Sequence, residues 1–146
     1  MKVAQVMTQS VKTCRPSDLL NTAAQIMWEV DCGSVPVVDD EGVIVGFLTD
    51  RDICMAAYTQ GGALHALRVE SAMARKVICC RPEDPVSAVE TLMRANQVRR
   101  LPVVDAYGKL VGIISLDDLV QLLAEEMGEL GKLIAREQAR EVEITR

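Results

Sequence analysis

Apolar and polar positions along this 146-residue chain pass through the same succession twice. A β-branched run from Val11 to Cys14 stops before Pro16, whose ring cannot continue a ladder, and predicts a short strand. From Asp18 onward Leu19, Ala23, Ile26, Met27 and Val30 recur at helical spacing, with Ser17 or Asp18 as the cap and Gly33 as the stop. The runs "SVPVVD" and "VIVGFLT" flank "DEG", which predicts a hairpin turning at Asp40 to Gly42, and a second helix starts beyond Thr49. The order then returns: a strand over 77–80, a helix over 85–95, strands over 101–104 and 110–114, and a final helix from about Leu116. The expected fold is therefore α/β (α+β), built as tandem β-α-β-β-α units.

An offset of 66 residues aligns 3–58 with 69–124 without a gap, and 16 of those 56 positions are identical. The matches include "CRP" at 14 and 80, "PVVD" at 36 and 102, Gly42 with Gly108, and Asp52 with Asp118. They fall on turns and core positions alike, so the chain is internally duplicated. Two copies of a period this long do not make a solenoid, which needs at least three repeats; they predict a pseudo-twofold pair. The expected divisions are 1–66 for the first repeat with its linker, 67–124 for the second, and 125–146 for a helical extension. Leu119, Leu122, Leu123, Met127, Leu130, Leu133 and Ile134 form an apolar stripe that outlasts the repeat by about three turns, so its far half is expected to meet another chain or the other unit. Gly128 and Gly131 weaken the helix there and favour a bend or fraying.

With 49% apolar residues the chain can bury one proper core, though not two ordinary-sized independent ones. No run of eighteen apolar residues occurs and the N-terminus lacks a secretory apolar segment, so a cytoplasmic protein without a membrane span is expected. Five cysteines without a C-x-x-C pair do not suit a disulfide framework, and Cys14 and Cys80 read as small buried hydrophobes. His65, the single histidine, has no neighbour that would make it a ligand or a base, and reads as a surface residue. A net charge of −5 with scattered basic residues and 3% aromatics argues against a nucleic-acid partner.

Several motifs are specific in combination: "VMT" and "SAM" before the first strand of each unit, "GSVPVVD" and "RRLPVVD" at the second, and "VGFLTDRDI" and "VGIISLDDL" at the third. On these the chain resembles the CBS domain family over nearly its whole length, and the pair resembles a Bateman module. The resemblance implies a regulatory unit whose two repeats pack sheet to sheet with helices outside. It also implies two clefts for adenosine-containing ligands such as AMP, ADP or ATP, with S-adenosylmethionine or NADH as secondary candidates, no cofactor, and a disc-like homodimer.

Each unit carries G-h-h-[ST]-x-x-D, Gly46 to Asp52 and Gly112 to Asp118, with the hydroxyl where strand becomes helix and the carboxylate one turn on. Open amides at a helix start welcome phosphate, Thr49 or Ser115 can donate a hydroxyl, and Asp52 or Asp118 can accept from ribose. The same spacing is also a helix capping box, which accounts for it without any ligand. What favours a site is "RRLP": Arg99 and Arg100 open a strand otherwise headed for the core, and adjacent cations there need an anion or open solvent. By resemblance Arg100 reaches the phosphates. The first unit has Gly33 and Ser34 instead, with Arg51 as a substitute cation. The expected site further takes in Val35 and Pro36, Leu101 and Pro102 toward adenine, Asp117 beside Asp118, and the opening strands at Ser10–Val11 and Lys76–Val77. Which repeat serves which cleft stays open at this level.

Three functions follow from these residues: an adenine-nucleotide sensor signalling to an effector protein in trans, a ligand-free dimerising scaffold, and an enzyme. The third lacks a phosphate-binding G-x-x-x-x-G-K-[ST] loop, a metal cluster or a nucleophile with a base, and a non-enzyme is expected.

Overall fold

The computed structural model describes residues 1–145. Helix α1 (Leu20–Val30) leads into the hairpin β1 (Ser34–Val38) and β2 (Ile44–Thr49) and then into α2 (Asp50–Gln60). The second unit repeats this as α3 (Val86–Asn96), β3 (Arg100–Val104), β4 (Leu110–Ser115) and α4 (Leu116–Thr145). Both hairpins are antiparallel, with Ser34 opposite Thr49 and Arg100 opposite Ser115. Their turns use glycine in the left-handed region, Gly42 at φ 83° and Gly108 at φ 79°. Asp39 and Asp105 brace them, each Oδ1 accepting two amides from its own turn. The two turns also join each other: Ile44 N–H donates to Gly108 O at 3.1 Å and Leu110 N–H to Gly42 O at 3.0 Å, so the pseudo-twofold axis passes between them.

The expected opening strands do not form. Residues 11–14 and 77–80 each contribute one parallel bridge, Cys14 with Val37 and Cys80 with Val103. The reason is proline on both sides. Cys14 N–H donates to Pro36 O and Val38 N–H to Cys14 O, but the next bond backward needs an amide on Pro36 and the next forward needs one on Pro16. Pro102 and Pro82 impose the same limit in the second unit.

The helix ends also differ from expectation. Ser17 and Asp18 do not cap α1; its N-cap is Leu19, and Asp18 Oδ2 instead accepts the Arg15 amide at 2.8 Å. Asp31, at φ 54° in the left-handed region, closes the helix two residues before the stop expected at Gly33, and Gln97 at φ 53° closes α3 in the same way. Helix α2 stops at Gly61 (φ 69°), whereas the position 66 residues on is Met127, and α4 continues. Gly128 and Gly131 do not interrupt it.

Packing crosses between the repeats. Val69 and Met73, the opening of the second repeat, complete the first core with Leu20, Val35, Val37 and Leu48, while Val3 completes the second with Val89, Leu101, Val103 and Ile114. Hydrogen bonds follow the same exchange: Leu20 N–H donates to Leu67 O and Val86 N–H to Met1 O. Each sequence repeat thus opens inside its twin's core, and the two cores cannot be separated without breaking both. Cys14 and Cys80 are 2% and 3% exposed, as small core hydrophobes should be. Burial, with Asp18 adding, pushes the Cys14 thiol up to about 12, and burial with Asp84 and Cys79 does so for Cys80. His65 is exposed.

Candidate functional site: a cleft shared by the two repeats

The exchange of opening segments builds the cleft. Thr8 pairs with Ile113 of β4, its N–H donating to Ile113 O at 2.8 Å, and from there the chain crosses to Cys14, which is tied to β1. Residues 9–13 therefore span the gap between the two units. Beneath them lies a cavity of about 400 Å³, lined by Ser10, Val11, Lys12 and Ser34 of the first repeat and by Arg100, Ser115 and Asp118 of the second, with Ile26, Val30, Cys32, Thr8 and Ile113 completing the wall. The lining mixes apolar and polar side chains. Its charged members are two cations, Lys12 and Arg100, and one carboxylate, Asp118.

Both [ST]-x-x-D motifs are capping boxes. Thr49 Oγ1 accepts the Asp52 amide at 3.2 Å and Asp52 Oδ2 accepts the Thr49 amide at 2.9 Å. The Ser115 and Asp118 bonds are 3.1 and 2.9 Å. Capping nonetheless leaves chemistry over. Ser115 Oγ, as an acceptor in the box, keeps its own proton to donate, and Asp118 Oδ1 takes no hydrogen bond among the described residues. The open amides expected at the helix start are mostly occupied: Leu116 N–H donates to Arg99 O at 2.7 Å and Asp118 N–H to Ser115, which leaves that of Asp117. An anion in this cleft would rely chiefly on Arg100 and Lys12.

Of the residues singled out from sequence, Ser10, Val11, Ser34, Arg100, Ser115 and Asp118 come together in this cavity. Val35, Pro36, Leu101 and Pro102 do not line it; they are fully buried, so their side chains serve the core and offer no surface to a base. Arg99 and Asp117 pair with each other at 3.8 Å on an exposed surface. Lys76, Val77, Thr49, Arg51 and Asp52 belong to the pseudo-equivalent position, where Ala74 pairs with Phe47 as Thr8 does with Ile113. There the larger Phe47 stands in place of Ile113, Asn96 in place of Val30 and Ile78 in place of Lys12. Sequence reasoning missed Lys12, although a lysine between Val11 and Thr13, opposite Ile78 in the other copy, was a legible break in symmetry. It also assigned Ile26 and Val30 to helix packing alone. Among the described residues no three His, Cys, Asp or Glu side chains are placed to hold a metal ion, and no helix is long and apolar enough to cross a membrane.

A duplicated unit with crossed openings and a cleft of about 400 Å³ at its seam defines a tandem-repeat module. The CBS domain model matches residues 3–58 and 69–125, and the chain belongs to the CBS domain family. Among curated relatives, the CBS domain-containing protein YhcV of Bacillus subtilis is 37% identical over 117 residues, covering 80% of this chain and 81% of its own. A homoserine O-acetyltransferase of Methanococcoides burtonii is 36% identical over 121 residues, covering 83% of this chain and only 24% of the enzyme, so that enzymatic name attaches to a much longer protein. Among solved structures, the CBS domain pair of protein MJ0100 in complex with 5'-methylthioadenosine and S-adenosyl-L-methionine superimposes with a TM-score of 0.78 at 27% identity, covering 86% of this chain and 98% of that one. CBSX2 in complex with AMP gives a TM-score of 0.75 at 25% identity, with the same coverages.

Proposed function

We propose that this protein is a non-catalytic regulatory module that binds an adenine nucleotide in the cleft between its repeats and passes the bound state to an effector protein in trans. One observation carries the reading: a cavity of about 400 Å³ whose lining combines apolar Val11, Ile26, Val30 and Ile113 with Arg100, Lys12, Ser115 and Asp118, the last with one carboxylate oxygen outside the capping bonds. The apolar side chains suit a base, Asp118 Oδ1 can accept from ribose hydroxyls, and the two cations suit phosphate. That structural neighbours hold AMP, 5'-methylthioadenosine or S-adenosylmethionine supports adenosine as the common element. Within that class the cationic pair favours AMP, ADP or ATP over the sulfonium of S-adenosylmethionine, which would meet like charge. The pseudo-equivalent position, with Phe47 and without Lys12, is the weaker site. We further propose that the module works as a homodimer in the cytoplasm.

Calorimetric titration with AMP, ADP, ATP, adenosine and S-adenosylmethionine tests this. Nucleotides should bind more tightly than adenosine, with an affinity that falls as salt rises. Absence of heat and of any thermal shift with all three nucleotides would leave the ligand-free scaffold as the better reading.

A further inference from the structure

From the second repeat into the extension, α4 carries a surface left exposed by the described residues. Leu119 is buried in the second core, but Leu116, Val120, Leu123, Met127, Leu130 and Ile134 are all exposed, between 38% and 72%. Their spacing is 4, 3, 4, 3 and 4 residues. That is a seven-residue repeat, the period that holds one stripe of a helix against a second helix, and it runs for about 27 Å at 1.5 Å per residue. Leu116, Val120 and Leu123 also form one wall of a groove of about 410 Å³ whose other wall is Met93, Arg94 and Val98. The seam is thus continuous from the body of the protein into the free helix.

We infer that this seam is covered by the α4 of a second copy, lying parallel and in register. The inference rests on the homodimer proposed above and not on ligand binding. Three observations select the occupant. Leucine occupies every one of the alternate positions 116, 123 and 130, while positions 120 and 134 of the other set are β-branched, the distribution that favours two parallel strands. A parallel partner places Glu126 beside Gly131 and Leu133 beside Gln138 across the seam, so no like charges meet along its apolar length. After Ile134 the next two seam positions are Glu137 and Glu141, whose in-register pairing would bring carboxylates together, and the seam ends there. The surface is therefore complementary to itself, as a twofold interface requires.

Cross-linking reads the orientation directly. In the full chain with Cys54→Ser removing the exposed native thiol, Ile134→Cys should yield a covalent dimer on mild oxidation, and Glu129→Cys, on the outer face, should not. A disulfide requires Cα atoms within about 7 Å, whereas antiparallel pairing of the same apolar residues would hold the two 134 positions about 27 Å apart. A second variant, Met127→Lys with Leu130→Lys, changes side chains outside both cores and should weaken the dimer about 30-fold or more in sedimentation equilibrium while the melt stays cooperative. A monomeric wild type, equal cross-linking of both cysteine variants, a dimer that fails to cross-link at 134, or an unchanged dimer in the double-lysine variant each overturns the inference. AMP titration of the double-lysine variant reports the cleft separately: retained AMP binding with no seam leaves the sensing proposal standing, and a cross-linked dimer blind to AMP does the reverse.

Discussion

Asp118 secures the first turn of α4 with one carboxylate oxygen, Oδ2 accepting the Ser115 amide at 2.9 Å, and the same residue lines the shared cleft, where its Oδ1 takes no hydrogen bond among the described residues. A residue that caps and lines at once must answer to both tests. Asp118→Ala should cost about 1 kcal/mol of stability through the lost cap and should also weaken nucleotide and nucleoside alike. Asp52→Ala removes the equivalent cap at α2, where Phe47 fills the neighbouring position, and should cost similar stability with little loss of affinity. Paired denaturation and titration of the two variants checks this; equal effects on binding would place the ligand elsewhere.

Arg100 and Lys12 reach the same cavity from different repeats. A charge-assisted contact to phosphate contributes about 1.5–3 kcal/mol, so Arg100→Ala should weaken AMP roughly 10- to 100-fold and leave adenosine nearly unchanged. Lys12→Ala, on the exposed rim, should act in the same direction more weakly and reduce the salt dependence of AMP binding. Calorimetry at two ionic strengths measures both.

Gly46 and Gly112 are equivalent by sequence but not in what surrounds them. A Cβ on Gly112 would stand 2.8 Å from Thr8 O, a backbone atom fixed by its own bridge, and 2.8 Å from Met7 Sδ. At Gly46 the tightest contact is the flexible Met73 Sδ at 2.5 Å, with Ala74 O at 3.2 Å. Gly112→Ala should therefore destabilise by about 1–3 kcal/mol, loosen the Thr8 edge of the cleft and reduce nucleotide affinity, and Gly46→Ala should cost less. Urea denaturation of the two variants ranks them.

Buried thiols give a pH signature. Cys14 and Cys80 hold their protons up to about 12 in the folded state, while the unfolded chain releases them near the ordinary value of 9.0. Between those limits the folded state binds more protons, so stability is unaffected below pH 9 and falls above it, by up to about 1.4 kcal/mol per pH unit for each thiol. Cys14→Val with Cys80→Val should flatten the decline measured by urea denaturation from pH 9 to 11. At pH 8 the exposed Cys54 should react with a thiol reagent well before either.

Gly128 lies inside α4, and a Cβ there would meet nothing within 4 Å. Gly128→Ala should raise helix stability by about 0.5–1 kcal/mol, visible as increased far-ultraviolet helicity of the extension without a change in AMP affinity.

Much of this protein was decided by local sequence. Proline, glycine and β-branched residues act on their own neighbours, so the duplication, the two hairpins with turns at Gly42 and Gly108, the helices, and the Thr49–Asp52 and Ser115–Asp118 caps were all legible from order alone. The opening strands were misread although their cause was in plain view: the prolines at 16 and 36, and at 82 and 102, remove the amides on either side of a single bridge, but that matters only once Cys14 is known to lie beside Val37. Left-handed Asp31 and Gln97 were not legible, because non-glycine residues take that conformation only when packing on either side demands it.

What the tertiary structure alone decided is the pairing across the pseudo-twofold axis. Sequence repeats are defined by order along the chain, and cores by contact through space; here the two disagree over residues 3–8 and 69–74, which open one repeat and finish the core of the other. That exchange carries Ser10, Val11 and Lys12 across to face Arg100, Ser115 and Asp118, so the cleft belongs to neither repeat by itself. No local rule specifies it, because the burial of Val3 and Val69 rewards whichever apolar surface is nearest in the folded state, and only the assembled pair of sheets determines which surface that is.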